Sequence, residues 1–500
     1  MVVGICIGET SLSEVSFISD KMPNVGEYVI IEYEGRKVLG MIENLVRGSE
    51  ALNVDINDFE AIKTISNLIR DDNYIKGKVK LLGDVNDSLR LPKVPVLPGT
   101  EIKLADVELL NEIFNVQNPL KLGTLVNQSD VDVNVEANPI LSRHLAILAM
   151  TGAGKSNTVS VLIDQILRYG VPIFVFDMHG EYVGAEFPNG EVNVIKPKIN
   201  PHYMAFYEIK KLVNIPSNAY VQERIFRHAF KLAKEQMESG KATTNNFLQI
   251  MYDILDTESK DEDSDKKIID VMNKIDDSMD RYSNLFDKNA GNILSNIEER
   301  KVNVLDLSQV DESVAGVLVS HILRNSLQRS KDAAHSGDND SLLKNSVFFI
   351  LEEAHILAPN KRDSDSKRWI QRVAREGRKF GLGLCLVSQS PKTVDHDALS
   401  QMNNMIILRL VEPEDQRHVQ SASESLSNDL VNQLPSLNVG EAIVLGLMTK
   451  IPTLVKIDEF KGRRHGDDMD IVSYFKGSAE KEAEELKRQE EEEYYLGGYY

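Results

Sequence analysis

Two cysteines in 500 residues, Cys6 and Cys385, are too few for a disulfide framework, and each sits inside an apolar run. They read as buried thiols of a reducing compartment, not as a bridge or a metal site. Long hydrophobic runs are missing too, since no stretch approaches the ~18–20 apolar residues of a membrane span. Met1 to Gly8 carries no basic region of the kind that opens a secretory signal. The expectation is a soluble, cytoplasmic protein with no membrane partner. Positive charge is in deficit, with 57 Lys and Arg against 77 Asp and Glu and a net charge of −20. That balance excludes a chain that coats nucleic acid with its whole surface. It leaves room for a local basic channel, because the charge is uneven. Asp253 to Asp280 holds eleven acids against four lysines, whereas Lys361 to Phe380 holds eight basic residues against three acids. No repeat of roughly 20–50 residues is visible.

What is present divides the chain into segments, and its length suits two to four domains. The opening segment is β-rich. Glu27 to Tyr33 and Lys37 to Ile42 flank a Glu34-Gly35 turn as a hairpin, and Lys76 to Asp84 reads as another strand. These predict a small barrel over 1–95, with the proline-rich stretch 91–99 at its edge or boundary. A connector is expected over 96–139. From 140 onward strands alternate with helices, the pattern of parallel βαβ units, with strands expected at 145–150, 171–177, 302–307, 346–352, 382–388 and 404–410. The fold class is therefore α/β. Its core falls in two parts, 140–202 and 301–460, around a polar helical insertion over 203–300 that is too long for a loop. Final strands lie in 441–458. Residues 461–500 read as a charged helical tail, in which Ala479 to Glu493 carries eight Glu and three Lys or Arg. It ends in Tyr494-Tyr495-Leu496-Gly497-Gly498-Tyr499-Tyr500, which is either disordered or a docking peptide.

The most informative stretch is Ala149-Met150-Thr151-Gly152-Ala153-Gly154-Lys155-Ser156, between the apolar run His144 to Leu148 and a helical run beginning at Asn157. Strand, glycine loop and helix in that order form a phosphate-binding P-loop. The glycines let successive N–H groups point at a β-phosphate, and the helix N-terminus adds partial positive charge. Lys155 would reach the β- and γ-phosphates and Ser156 would ligate Mg²⁺. Ala149 stands where the pattern has Gly, which is tolerable if the residue keeps a negative φ. The chain is expected to bind a nucleoside triphosphate, with ATP and Mg²⁺ as cofactors and Thr151, Gly152, Ala153, Gly154, Lys155, Ser156 and Asn157 at the nucleotide.

A second apolar run, Val347 to Leu351, ends in Glu352-Glu353-Ala354-His355. Beside a P-loop, one carboxylate of such a pair holds Mg²⁺ and the other activates the attacking water. Glu352 takes the first role, standing where Asp is commoner, and Glu353 is the candidate base. His355 has no partner at metal-ligand spacing and reads as structural. Leu384 to Val387 leads to Ser388-Gln389, so that Gln389 can touch a γ-phosphate from the neighbouring strand. Asp177 ends another strand and lies near the site by position, a weak signal alone. Ser366 to Phe380 reads as a helix stopped by Gly381, with Trp369 and Val373 on its core face and Arg368, Arg372 and Arg375 as a stripe; Arg378 lies one turn beyond. The stripe is either a solvated face or a source of an arginine finger.

Together these motifs resemble the HerA family of hexameric DNA translocases, of the RecA-like fold shared with FtsK and the type IV secretion ATPases. The matching residues are T-G-A-G-K-S at 151–156, F-D-M-H-G-E-Y at 176–182, E-E-A-H at 352–355, A-R-E-G-R-K-F-G-L-G-L at 374–384 and S-Q at 388–389. G-E-Y-V at 26–29 and V-L-G at 38–40 resemble the family's HAS barrel. The resemblance spans nearly the whole chain. It implies a RecA-like P-loop ATPase core with an N-terminal HAS-like barrel, and catalytic roles for Lys155, Glu353, Gln389 and Arg378. Arg378 would act in trans, with Arg375 a less favoured candidate, and Arg143 would contact nucleotide. Pro452 to Asp458 matches a segment that braces a neighbouring subunit near its nucleotide, which implicates Lys456 and Ile457. The implied protein is an ATP-driven homo-hexameric ring that moves duplex DNA through a central channel, working with a NurA-type nuclease in resecting double-strand-break ends. A DNA pump for segregation or conjugation, and a non-motor ATP-dependent switch, are the alternatives.

Overall fold

The computed structural model describes residues 1–464 apart from 53–56, 69–72, 243–245, 260–265, 288 and 338. The expected tail helix 479–493 and the aromatic end lie outside the described residues.

Six strands close an antiparallel barrel: β1 (Val2–Ile7), β2 (Glu14–Ser19), β3 (Tyr28–Tyr33), β4 (Arg36–Ser49), β5 (Asn73–Asp84) and β6 (Glu101–Leu104), in the order β1-β2-β5-β4-β3-β6. Glu34 and Gly35 both adopt positive φ (47° and 73°), the geometry of a tight hairpin turn between β3 and β4. Alternate residues point inward, and Val15, Phe17, Val29, Ile31, Val38, Ile42, Val79 and Ile102 fill the interior. Phe17 is accommodated by glycine, since a Cβ at Gly77 would lie 2.5 Å from its ring.

The second sheet has eleven strands in the order β11-β12-β10-β13-β14-β9-β15-β16-β17-β7-β8. They are β7 (Pro119–Leu125), β8 (Asp132–Glu136), β9 (Leu145–Leu148), β10 (Ile173–Asp177), β11 (Glu191–Ile195), β12 (Lys301–Asp306), β13 (Val347–Leu351), β14 (Leu382–Ser388), β15 (Asn404–Leu408), β16 (Glu441–Gly446) and β17 (Thr453–Ile457). Pairing is parallel from β11 through β15 and antiparallel from β15 to β8. The inner parallel strands β10, β13, β14, β9 and β15 are buried along their whole length and mostly apolar, as cover on both faces requires, whereas β11 at the edge is partly exposed. β14 runs between the P-loop strand β9 and the carboxylate strand β13, so three functional strand ends meet along one edge. This is the RecA-like P-loop core.

The segment expected as a connector does more than connect. Its β6 closes the barrel, and β7 and β8 extend the large sheet, β7 pairing with β17 from the far end of the chain. Local sequence carries no sign of so distant a partner. The barrel rests on the core through Tyr28, whose hydroxyl donates to the Pro452 carbonyl at 2.8 Å while its ring meets Phe114 edge-on.

The region 203–300 contains the helices Phe206–Leu212, Tyr220–Glu238, Phe247–Glu258 and Lys266–Arg281, packed on Phe226, Phe247, Met251, Leu255, Val271 and Ile275. A buried ionic cluster ties them to the core helix Glu312–His335. Glu208 receives His321 Nδ1 and Arg324 Nε, each at 3.0 Å.

Candidate active site

β9 is buried at all four positions and delivers Ala149 at the sheet edge. Ala149 is absent from the positive-φ residues, so its methyl is accommodated there. Gly152 (φ 78°) and Gly154 (φ 103°) turn the chain in a way that L side chains rarely allow. The helix Lys155–Leu167 starts directly after Gly154 with no side-chain cap. Its first N–H groups are left for an anion.

Thr151, Gly152, Gly154, Lys155, Ser156, Asn157, Glu353, Gln389, Lys456 and Ile457 all line one cavity of about 1050 Å³. Ala153 is buried beneath it, and Glu352 is buried behind Lys155. Ten of the residues singled out from sequence therefore converge, though their neighbours are not all as expected. Thr151 Oγ1 donates to Gln389 Oε1 at 2.8 Å, linking the P-loop to β14. The Asn157 side chain is occupied by the C-terminal segment, donating to the Asp458 carbonyl and accepting from Phe460 N–H, both at 2.9 Å. Lys456 Nζ donates to the Val439 carbonyl at 2.6 Å.

Lys155 Nζ lies 3.2 Å from Glu352 Oε2 and 3.4 Å from Glu353 Oε1. The two carboxylates differ in environment. Burial raises the Glu352 pKa against the opposing effects of Lys155 and Tyr182. Burial also opposes ionisation of Glu353, but His355 and Lys155 outweigh it and hold that carboxyl below its usual range. Environments that push neighbouring carboxyls apart mark acid–base sites. Glu353 itself adopts a left-handed backbone (φ 48°, ψ 49°), a strained conformation for a non-glycine residue. His355 Nδ1 stands 3.1 Å from its Oε2. His355 thus lies beside the glutamate as a nearby imidazole.

The donor set fits a hard divalent cation. The Lys155 ammonium already sits between two carboxylates, and the Ser156 hydroxyl, with no hydrogen bond among the described residues, opens the same helix. Oxygen donors of this kind, completed by substrate phosphates, suit Mg²⁺.

Several residues of the cavity were not singled out from sequence: His179, Glu181, Tyr182, Glu459, Phe460 and Arg463. The motif at 176–182 was the available signal. The C-terminal residues carry none, because they reach the site only through the pairing of β17 with β16 and β7.

Arg143, Arg375 and Arg378 do not line the cavity. Arg143 precedes β9 and Arg378 precedes β14, whereas the P-loop and Gln389 follow those strands. With strands rising about 3.3 Å per residue, the seven residues of β14 put Arg378 roughly 20 Å from its own chain's Gln389. Of the stripe, Arg372 pairs with Glu376 at 3.0 Å and lies over Trp369, while Arg375 and Arg378 are exposed. Arg378 has no ion pair among the described residues.

His144, next to Arg143, ties the start of β9 to β14. It is 2% exposed, and its Nδ1 accepts the Leu384 N–H at 3.0 Å. Burial pushes its pKa down to about 4. A histidine depressed in the fold and near 6.5 when unfolded contributes stability above pH 6.5 that is lost as pH falls toward 4, in all about 3 kcal/mol. His144→Gln is therefore expected to flatten the pH dependence of the melting temperature between pH 7 and 5. Parallel curves for the two proteins would refute that expectation.

Three family models match the chain: HAS barrel domain over residues 3–87, Helicase HerA, central domain over 120–326, and Helicase HerA-like C-terminal over 333–461. The DNA double-strand break repair helicase HerA of Saccharolobus solfataricus is 40% identical over 493 residues, covering 96% of this chain and 97% of that protein. The probable helicase MJ1565 of Methanocaldococcus jannaschii is 41% identical over 486 residues, covering 94% and 93%. Among solved structures, VirB4 of Thermoanaerobacter pseudethanolicus is 15% identical, with a TM-score of 0.49 over 69% of this chain and 98% of that one.

Proposed function

This chain belongs to the HerA helicase family, and from that premise we propose that it is an ATP-driven translocase or helicase acting on duplex DNA ends. The observation that carries the reading is the single cavity gathering P-loop, carboxylate and glutamine. Lys155 leaves the carboxylates to bind the β- and γ-phosphates when ATP enters. The Mg²⁺ held by Ser156 and Glu352 would neutralise phosphate charge as the terminal P–O bond breaks. Glu353 accepts a proton from the water attacking the γ-phosphorus, ADP leaves, and Gln389 loses its γ-phosphate contact. Thr151, Gln389 and the edge that follows β14 then respond to the loss.

Arg143, Arg375 and Arg378 do not line their own chain's cavity, and Arg378 lies roughly 20 Å from its own Gln389, which supports a homo-hexameric ring in which one subunit's arginines complete the next subunit's site. Duplex DNA would pass through its centre, against basic residues that the net charge of −20 does not preclude. Partnership with a NurA-type nuclease in end resection fits relatives named for double-strand break repair.

ATP hydrolysis measured with and without linear duplex DNA, at low and moderate salt, tests the reading. Turnover is expected to rise severalfold with DNA, and the stimulation to fall steeply with salt as phosphate contacts are screened. Turnover indifferent to DNA would instead favour an ATP switch.

A further inference from the structure

Tyr182 is 2% exposed and Glu352 4% exposed, and the tyrosine hydroxyl donates to Glu352 Oε1 at 2.7 Å. One carboxylate oxygen is thereby held, leaving Oε2 to face Lys155, whose side chain lines the cavity. Glutamate has one more rotatable bond than the aspartate commoner at this position, so its carboxylate samples more placements unless braced. The loop that carries Tyr182 is itself fixed. The Asp177 carboxylate accepts four backbone N–H groups, from His179, Gly180 and Glu181 on Oδ1 at 3.3, 2.8 and 3.1 Å and from Tyr182 on Oδ2 at 2.9 Å. Beyond the tyrosine, Glu186 pairs with Arg463 through the backbone, and the Phe187 ring packs against Phe460 at 5.2 Å. Parallel pairing of β10 with β13 then sets this rigid loop directly beside Glu352.

We propose that Tyr182 is a positioning residue that aims Glu352 at the magnesium ion accompanying ATP. The inference rests on the nucleotide-hydrolysis reading above and deepens it. Tyr182 lines the cavity, but its hydroxyl is engaged by Glu352; it acts by fixing which carboxylate oxygen faces Lys155. Partners of this kind shift metal affinity while leaving direct contacts with nucleotide intact.

Binding of a fluorescent ATP analogue to the full chain, measured in EDTA and across a Mg²⁺ titration, separates the possibilities. For Tyr182→Phe, affinity in EDTA is expected within twofold of the unaltered chain, with the Mg²⁺ midpoint raised roughly 10–100-fold. In a Glu352→Gln background the same change is expected to add nothing. Asp177→Asn, which loosens the loop but leaves the tyrosine, is expected to raise the midpoint to a smaller degree and gives a second readout should Tyr182→Phe not fold. An unchanged midpoint, equal weakening with and without Mg²⁺, or additivity with Glu352→Gln would each overturn the proposal. Absence of nucleotide binding by the unaltered chain would instead overturn the hydrolysis reading, and this inference with it.

Discussion

Glu353→Gln is expected to lower ATP turnover by roughly 10²–10⁴-fold while nucleotide binding and assembly persist. The amide matches the carboxylate in size but cannot take a proton. Its surroundings make the comparison clean. Glu353 sits in a left-handed conformation that costs about 1–2 kcal/mol, and neighbouring His355 and Lys155 favour its ionised form. Strain retained at such a residue indicates that the surrounding fold holds it there. Lys155→Ala is the informative counterpart, because Lys155 is paired with both carboxylates and is the cation nearest the phosphate loop. Its loss is expected to weaken binding itself. Steady-state hydrolysis, fluorescent nucleotide binding and light scattering on both variants decide the matter. Turnover within tenfold of the unaltered protein in Glu353→Gln would reject that glutamate as the base and direct attention to Glu181, which lines the same cavity.

How much of this was legible beforehand depends on the range of the interactions involved. The P-loop reads from sequence because glycine φ, an apolar strand and a helix start are all local properties. The carboxylate pair reads for the same reason, being the end of the short apolar run that becomes β13. The helix expected over 366–380 is observed as Asp365–Glu376 continued by the tighter turn Gly377–Phe380, which Gly381 (φ 70°) ends as caps and periodicity suggest. What did not read is set by pairing across the chain. Residues 119–125 look unremarkable until β17, more than three hundred residues away, aligns Val455 with Leu125. That pairing also carries Asp458 and Phe460 to Asn157, so that Asn157, expected from sequence at the nucleotide and lining the cavity, also clasps the C-terminal segment. Tyr182 was visible within a motif, but its use depends on β10 lying beside β13. The arginine stripe was legible as a stripe. Which end of the sheet it occupies was not, because helical spacing records a face and not an edge.

That edge makes the second large prediction specific. Arg378→Ala is expected to reduce turnover by about 10³–10⁵-fold, as loss of a transition-state arginine does, with nucleotide affinity little changed. The same variant should be repaired by a partner subunit. A strand of seven residues separates Arg378 from Gln389, and an arginine side chain does not bridge roughly 20 Å, so its own chain's site cannot be the one it completes. In a ring, each site would take its P-loop and Glu353 from one subunit and its arginine from the next. Mixing the inactive Arg378→Ala and Glu353→Gln proteins then brings some subunits with an intact P-loop and base next to others with an intact arginine, and part of the lost activity is expected to return. Arg375→Ala should fall less, since its Nε is already engaged by the Gln371 carbonyl at 3.2 Å. If Arg378→Ala is inactive and the mixture shows only the sum of its parts, the arginine does not work across subunits, and its effect has to come from holding the Gly377–Phe380 turn against β14.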